Sequence, residues 1–323
     1  MAVFGIICAV FAVLFLLFLL VVRRMFAVAF GRYQEGHKVK SAMPSTLPAS
    51  AAEEYRKIND RIAEASAEML EREHEKLEIT GIDGARLTAL WFPAKNQKRV
   101  LLCAHGYRGT KLRDFSLAFK FLVALGCSVL TIDERAHGES GGNYTTFGAL
   151  ERYDIALWAR FLDEKTGGKT PIYLMGISMG ASAVLLASGL SLPRSVRGVI
   201  ADCGFTVGYE ECSYVVKKVM KLPGLVMPLC NYFCRALGGF DLRAADVRNA
   251  LRLTDVPVLM FHGESDSFVP CEMGRENYAA CRSEKRLITV KGADHTMSYV
   301  KAREEYERAV EDFFLRHDNA EDI

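Results

Sequence analysis

The pattern of apolar and polar positions changes character along the chain. Residues 2–22 form an unbroken apolar run with no charged side chain, roughly 32 Å long as a helix, which matches the hydrocarbon core of a bilayer. The run predicts a transmembrane helix, since a buried helix of a soluble domain normally keeps a polar face. Residues 23–50 then read as a basic juxtamembrane segment and linker, with Arg23, Arg24, Arg32, Lys38 and Lys40, followed by Pro44 and Pro48 among small residues. Over 51–76 the apolar positions recur three and four apart at Tyr55, Ile58, Ile62, Ala65 and Met69, which predicts an amphipathic helix packed on the chain's own domain; two heptads are short for a coiled coil.

From Leu77 the pattern turns to short apolar runs separated by helical ones. This alternation predicts an α/β domain over 77–318, a mostly parallel sheet with helices on both faces. A hairpin turned at Asp83-Gly84 opens it, and the later strands are expected at 99–104, 128–132, 172–175, 196–201, 256–261 and 286–290. Helices fit around 115–125, 150–161, 179–187, 271–281 and 299–315. An ordinary crossover needs a dozen residues or so, so the long stretch between the strands ending near 201 and beginning at 256 implies an insertion, a lid at about 205–250.

Charge adds topology. The basic residues cluster at the C-terminal end of the apolar run, so the positive-inside rule places the domain in the cytoplasm of a single-pass membrane protein. A cleaved signal peptide is the alternative, with Ala27-Val28-Ala29 as a mimic of its cleavage site. Forty-one Lys plus Arg against 39 Asp plus Glu leave a net charge of +2, too balanced for a protein held to nucleic acid by phosphate neutralisation. The nine cysteines form no CxxC pair and no metal-ligand spacing with histidine, and they read as reduced thiols with no metal site.

Gly176-Ile177-Ser178-Met179-Gly180 stands directly between an expected strand and an expected helix, the context in which GxSxG becomes a nucleophile elbow. A serine hydroxyl needs a base, and the base an orienting acid. Both candidates lie just past strand ends, where ligands bind in open parallel sheets: His262-Gly263-Glu264-Ser265-Asp266 offers the acid and Gly292-Ala293-Asp294-His295-Thr296 the base. Asp266 is the expected acid with Glu264 as the alternative, and Asp294 reads as a turn residue. Cys103-Ala104-His105-Gly106-Tyr107-Arg108-Gly109 follows an early strand, so the backbone N–H groups of Tyr107 and Met179 are the expected oxyanion hole. The Tyr107 ring, with Phe205, Met220 and Leu225 of the apolar insertion, is the expected lining of the acyl pocket.

With candidates in the order Ser178, Asp266, His295, the chain resembles the α/β-hydrolase superfamily from about Leu77 to its end. Asp133-Glu134-Arg135-Ala136-His137-Gly138-Glu139-Ser140 is similar to the DxRGHGxS turn of lipases and prolyl-aminopeptidase-like members, with Ala136 in place of the usual glycine and His137 read as structural. The oxyanion loop departs from HGGG, and the overall layout resembles membrane-anchored bacterial hydrolases of this clan.

The expected function is therefore a membrane-anchored serine hydrolase that cleaves carboxylic esters with apolar acyl groups through an acyl-enzyme, with a small-molecule acyl substrate, the bilayer as partner and no cofactor. A serine peptidase of the same clan, in which Glu210, Glu211 or Asp241 of the lid binds a substrate amine, is the alternative. Thioester hydrolysis or acyl transfer shares the same machinery, and a membrane-tethered scaffold is the non-enzymatic alternative. Oligomeric state is open.

Overall fold

The alternating runs assemble into one sheet. The computed structural model describes residues 1–32 and 49–318, so the expected linker, with Lys38, Lys40, Pro44 and Pro48, lies almost wholly outside the described residues. The strands are β1 (Glu75–Thr80), β2 (Arg86–Phe92), β3 (Arg99–Ala104), β4 (Cys127–Ile132), β5 (Ile172–Ile177), β6 (Val196–Asp202), β7 (Val258–Gly263) and β8 (Lys285–Val290). Their order in the sheet is β1-β2-β4-β3-β5-β6-β7-β8. β2 runs antiparallel to both its neighbours, β1 and β4, and the other strand pairs are parallel.

The central strands are apolar on both faces because helices cover both. Leu102, Leu174 and Val199 face α4 (Glu151–Lys165) and α5 (Met179–Ala187), whereas Leu101, Tyr173 and Ile200 face α3 (Ser116–Ala124) and α11 (Arg303–His317). The amphipathic helix α2 (Ala49–Leu70) lays Ile58 and Met69 onto this second face, as its stripe predicts. It ends at Leu70 and not at 76: Glu71-Arg72-Glu73-His74 breaks the helical period, and Leu77 and Ile79 then alternate with charged residues in β1, the period of a half-buried strand. The expected C-terminal helix is two pieces, α10 (Ser298–Lys301) and α11.

The insertion contains α6 (Gly208–Tyr214), a π-helical turn (Val215–Val219), α7 (Val226–Gly238) and α8 (Val247–Leu253). A bridge between Val207 and Asp246 ties its two ends together. The remaining helix of the body is α9 (Cys271–Ala280).

The largest departure from the expected layout is α1, which runs Ala2–Phe30 and therefore past the edge of the apolar run at 22. From Val3 to Leu17 its side chains are exposed all round, as lipid-facing residues would be. Beyond them Val22, Phe26 and Phe30, spaced four apart on one face, are at most 2% exposed and belong to the main core. Phe26 stacks on Phe30 and approaches Phe233 of α7, and Phe30 meets Phe147 and Phe240. Arg23 and Arg24 stay exposed on the opposite side. The expected juxtamembrane segment thus begins as two further turns of the same helix, docked on the domain. Its exit is fixed by a bridge from Gly31 to Tyr144 and by the Arg32 guanidinium, which donates to the carbonyls of Gly138, Ser140 and Gly142.

Candidate active site

Ser178 sits at the β5–α5 turn with φ 55° and ψ −115°, a conformation that costs a non-glycine residue of order 1–3 kcal/mol and persists only where the surroundings impose it. They do so through close approach. A Cβ on Gly176 would lie 2.3 Å from the Gly180 carbonyl, and one on Gly180 would lie 2.1 Å from the Ala104 oxygen. The Ser178 N–H donates to the Asp202 carbonyl at 2.8 Å. The hydroxyl is thereby aimed above the C-terminal edge of the sheet.

There it meets the two partners expected from the downstream strand ends. Ser178 Oγ lies 2.9 Å from His295 Nε2, and His295 Nδ1 lies 2.8 Å from Asp266 Oδ2. The Asp266 side chain is fully buried, and its Oδ1 accepts the backbone N–H groups of Phe268 and Val269 at 2.9 and 2.8 Å. Glu264, the alternative acid, accepts from the Thr289 hydroxyl at 2.8 Å. Asp294 Oδ1 accepts the N–H groups of Ser267 and His295, the turn chemistry expected of it.

The glycine-rich loop after β3 is held by its flanks. Gly106 N–H donates to the half-buried Asp114 carboxylate at 2.7 Å, and Arg108 N–H donates to His137 Nε2 at 3.1 Å. Tyr107 N–H lies between these two tethered amides, and Met179 N–H is the first amide of α5, one of those a helix leaves without an internal acceptor. Two buried histidines link this loop to the 133–140 turn. His105 Nδ1–H donates to the Gly106 carbonyl while its Nε2 accepts from Glu134 N–H, and His137 Nδ1–H donates to the Arg135 carbonyl. Burial holds both below the ordinary imidazole range, His137 down to about 4, so both are neutral and the tautomers follow from their partners. Ala136, where related turns carry glycine, has φ 61°, a left-handed conformation that explains the usual residue.

Beside the Ser178–His295 pair lies a cavity of about 310 Å³ whose walls are almost wholly apolar. Tyr107 and Phe268 belong to its lining, and the Phe268 ring lies 5.3 Å from the His295 ring. Met220 lines it as expected. Phe205 does not: it is buried beneath Phe147, ring centroids 6.0 Å apart, and packs on Met179. Leu225 is 61% exposed on the lid and also takes no part. Phe147 and Phe268, which sequence reasoning did not single out, line it instead, together with Val216 of the apolar lid run. Phe147 and Phe268 sit in loops whose course no local pattern determines.

Of the three lid acids, Glu210 pairs with Arg248 at 2.9 Å and Asp241 accepts from Asn231 at 3.0 Å. Glu211 differs. It lines the cavity, is 2% exposed, and among the described residues neither carboxylate oxygen has a hydrogen-bond partner. Burial, reinforced by the Asp266 carboxylate, pushes it up to about 8, so it takes up a proton on folding at neutral pH. A folded value raised from 4.5 means that stability is lost as pH rises from about 4.5 towards 8, at up to about 1.4 kcal/mol per pH unit. Glu211→Gln is therefore expected to melt with the wild type near pH 5 and several degrees above it at pH 8. Parallel melting curves across this range would show that the carboxyl is not buried unpaired.

Among the described residues one group of metal-ligating side chains converges, Cys203, Asp266 and His295. Two of these are already engaged in the hydrogen-bonded chain, and burial pushes the Cys203 thiol well up, away from the thiolate that binds metals.

The sheet order, the strand–turn–helix elbow and the helical insertion after β6 define an α/β-hydrolase. The chain belongs to that superfamily: residues 95–237 match the family of serine aminopeptidase S33 and residues 234–320 that of TAP-like proteins. It is 30% identical over 222 residues to the uncharacterized protein YqkD of Bacillus subtilis, spanning 68% of this chain and 72% of YqkD. It is also 30% identical over 209 residues to the lysophosphatidylserine lipase ABHD12 of Danio rerio, covering 62% of this chain but only 52% of that lipase. Among solved structures, the Pyrococcus furiosus esterase Pf2001 superposes with a TM-score of 0.64 at 24% identity, covering 78% of this chain and 94% of the esterase. The protein is a hydrolase of this fold.

Proposed function

We propose that the protein is a membrane-anchored serine carboxylester hydrolase acting on apolar acyl groups. The observation that carries this reading is the Ser178–His295–Asp266 hydrogen-bonded chain opening beside an apolar cavity. Ser178 Oγ attacks the ester carbonyl as His295 Nε2 takes its proton, and the N–H groups of Tyr107 and Met179 receive the charge developing on the carbonyl oxygen. His295 then returns the proton to the leaving alcohol. Water, deprotonated by the same imidazole, releases the acid from the acyl-enzyme. The lipase and esterase among the similar proteins support ester cleavage, and the cavity supports a single greasy acyl chain. The test is fluorophosphonate labelling of the full-length protein, followed by rates on acyl esters, thioesters and aminoacyl amides. Labelling at Ser178 with esters fastest supports the reading, whereas an unlabelled protein is a scaffold.

A second reading, an aminopeptidase, is favoured by the unpaired Glu211 carboxyl in the cavity wall and by the serine aminopeptidase family match. A group held near 8 is neutral at pH 7 and offers an ammonium no charge. Aminoacyl amides outrunning every ester would establish that reading over the first.

The apolar part of α1 spans the membrane with Arg23 and Arg24 on the cytoplasmic side, in keeping with the positive-inside rule. Protease added to intact cells should leave the domain whole, and permeabilisation should expose it. Digestion from outside, or a mature N-terminus beyond Phe30, would reverse the assignment.

A further inference from the structure

The cavity beside Ser178 is not enclosed by the hydrolase domain alone. One side is the lid, with Val216, Met220 and Met227, and the facing side is α1, with Met25, Val28 and Ala29. The same stretch of α1 grips the oxyanion loop. Tyr107 Oη donates to the Ala29 carbonyl at 2.6 Å, and the Arg108 guanidinium donates to the Val28 carbonyl. These acceptors are among the last carbonyls of α1, which a helix leaves without internal partners. Burial pushes the Tyr107 phenol up to about 12, so it stays a donor throughout the physiological range. An aromatic series then joins helix to loop, from Phe26 through Phe30 and Phe147 to Tyr107, with centroid separations of 5.7, 5.4 and 5.3 Å.

The mouth of the cavity can also be located. Three of its lining residues, Arg24, Val28 and Met220, are exposed, so it opens between the outer side of α1 and the π-helical turn. Arg24 belongs to the basic pair at which the apolar run ends, so the opening stands at the level of the membrane surface, within about two helical turns of the hydrocarbon.

We propose that α1 is a wall of the acyl site as well as its tether: the cavity between α1 and the lid takes one acyl chain of about ten to twelve carbons from a lipid in the adjoining leaflet, and Met25, Val28 and Ala29 set the length accepted. The length follows from volume, because a 150 Å³ cavity holds benzene, roughly 25 Å³ per carbon, and this one measures about 310 Å³. The inference rests on the ester-hydrolase reading for its chemistry, but the cavity can be tested without turnover.

Full-length protein in phosphatidylcholine vesicles is assayed with the p-nitrophenyl esters of acetate, decanoate, dodecanoate and tetradecanoate. Each methylene that fits is worth up to about fourfold in kcat/KM. Ala29→Phe, which fills the space of several methylenes, should lower the decanoate-to-acetate ratio by at least about tenfold. Met25→Ala, which removes bulk and keeps the proposal testable if Ala29→Phe does not fold, should move the preferred chain length upward by about two carbons. Val21→Trp, on the exposed part of the same helix and outside the cavity, should leave the ratio within twofold. In parallel, radiolabelled decanoic acid is bound to Ser178→Ala protein with and without the same helix substitutions. A decanoate-to-acetate ratio unmoved by Ala29→Phe together with a preferred chain length unmoved by Met25→Ala, or a ratio moved equally by Val21→Trp, overturns the proposal, as does decanoic acid binding that is indifferent to all three. No ester turnover by wild-type protein, together with decanoic acid binding lost on Ala29→Phe, would instead remove the esterase reading and leave the acyl site standing.

Discussion

Ser178→Ala is expected to lower ester turnover by at least about 10³-fold while the protein keeps its fold and its melting temperature to within a few degrees. In the proposed mechanism the nucleophile and its base act as a unit, so what survives is the contribution of oxyanion stabilisation and substrate binding alone. The fold should tolerate the change because, among the described residues, the Ser178 hydroxyl reaches His295 Nε2 alone, at 2.9 Å, and its removal leaves without a partner an imidazole edge that is part-exposed. The strained turn survives as well, since it is imposed by the packing of Gly176 and Gly180 against each other and against the Ala104 carbonyl. Purified variant retaining a tenth of the wild-type rate would remove Ser178 from the chemistry, and the hydrogen-bonded chain would have to be read as structural.

The second large effect is expected for Asp266→Asn, on the order of 10⁴-fold in kcat. Asp266 Oδ1 accepts two backbone N–H groups, from Phe268 and Val269. In the asparagine variant the carboxamide oxygen must keep that position, because turning the NH₂ towards two amide hydrogens would leave three donors facing one another. The NH₂ then faces His295 Nδ1, which has to accept, so the ring proton is driven to Nε2 and the nitrogen facing Ser178 can no longer take the hydroxyl proton. The loss therefore comes from a tautomer fixed by two backbone amides, with little disturbance of position. Turnover within tenfold of wild type would mean that another group orients His295. Glu264→Gln provides the comparison and should have little effect, since that carboxylate binds Thr289 on β8.

Much of the site was legible because its chemistry sits at strand ends. In a parallel sheet every β-strand terminates at the same edge, so residues read independently after β5, β7 and β8 were bound to face a common space, and Ser178, Asp266 and His295 do so. The same logic put the Tyr107 loop after β3 beside the elbow. Choosing between Asp266 and Glu264 was another matter: both follow β7 by a few residues, and the choice depends on which of them the turn's own amides hold. In the lid, Met220 reached the cavity while Phe205 and Leu225 did not, because a run of apolar residues without a clear period does not say which of them faces a cavity, a neighbouring helix or water.

The alternation of apolar runs, the glycine-framed serine and the order of the three candidate residues by themselves determined an α/β-hydrolase domain behind an apolar N-terminal helix. What only the tertiary structure decided is where that apolar helix leaves its exposed course and enters the core of the domain. Val22, Met25, Phe26, Ala29 and Phe30 are as apolar as the residues before them, and hydropathy measures only the preference for leaving water. It cannot tell lipid from a protein core as the medium entered. The fold makes that distinction by placing α7, Phe147 and Tyr107 against the last two turns of α1, and so turns the end of that apolar helix into a wall of the cavity beside Ser178.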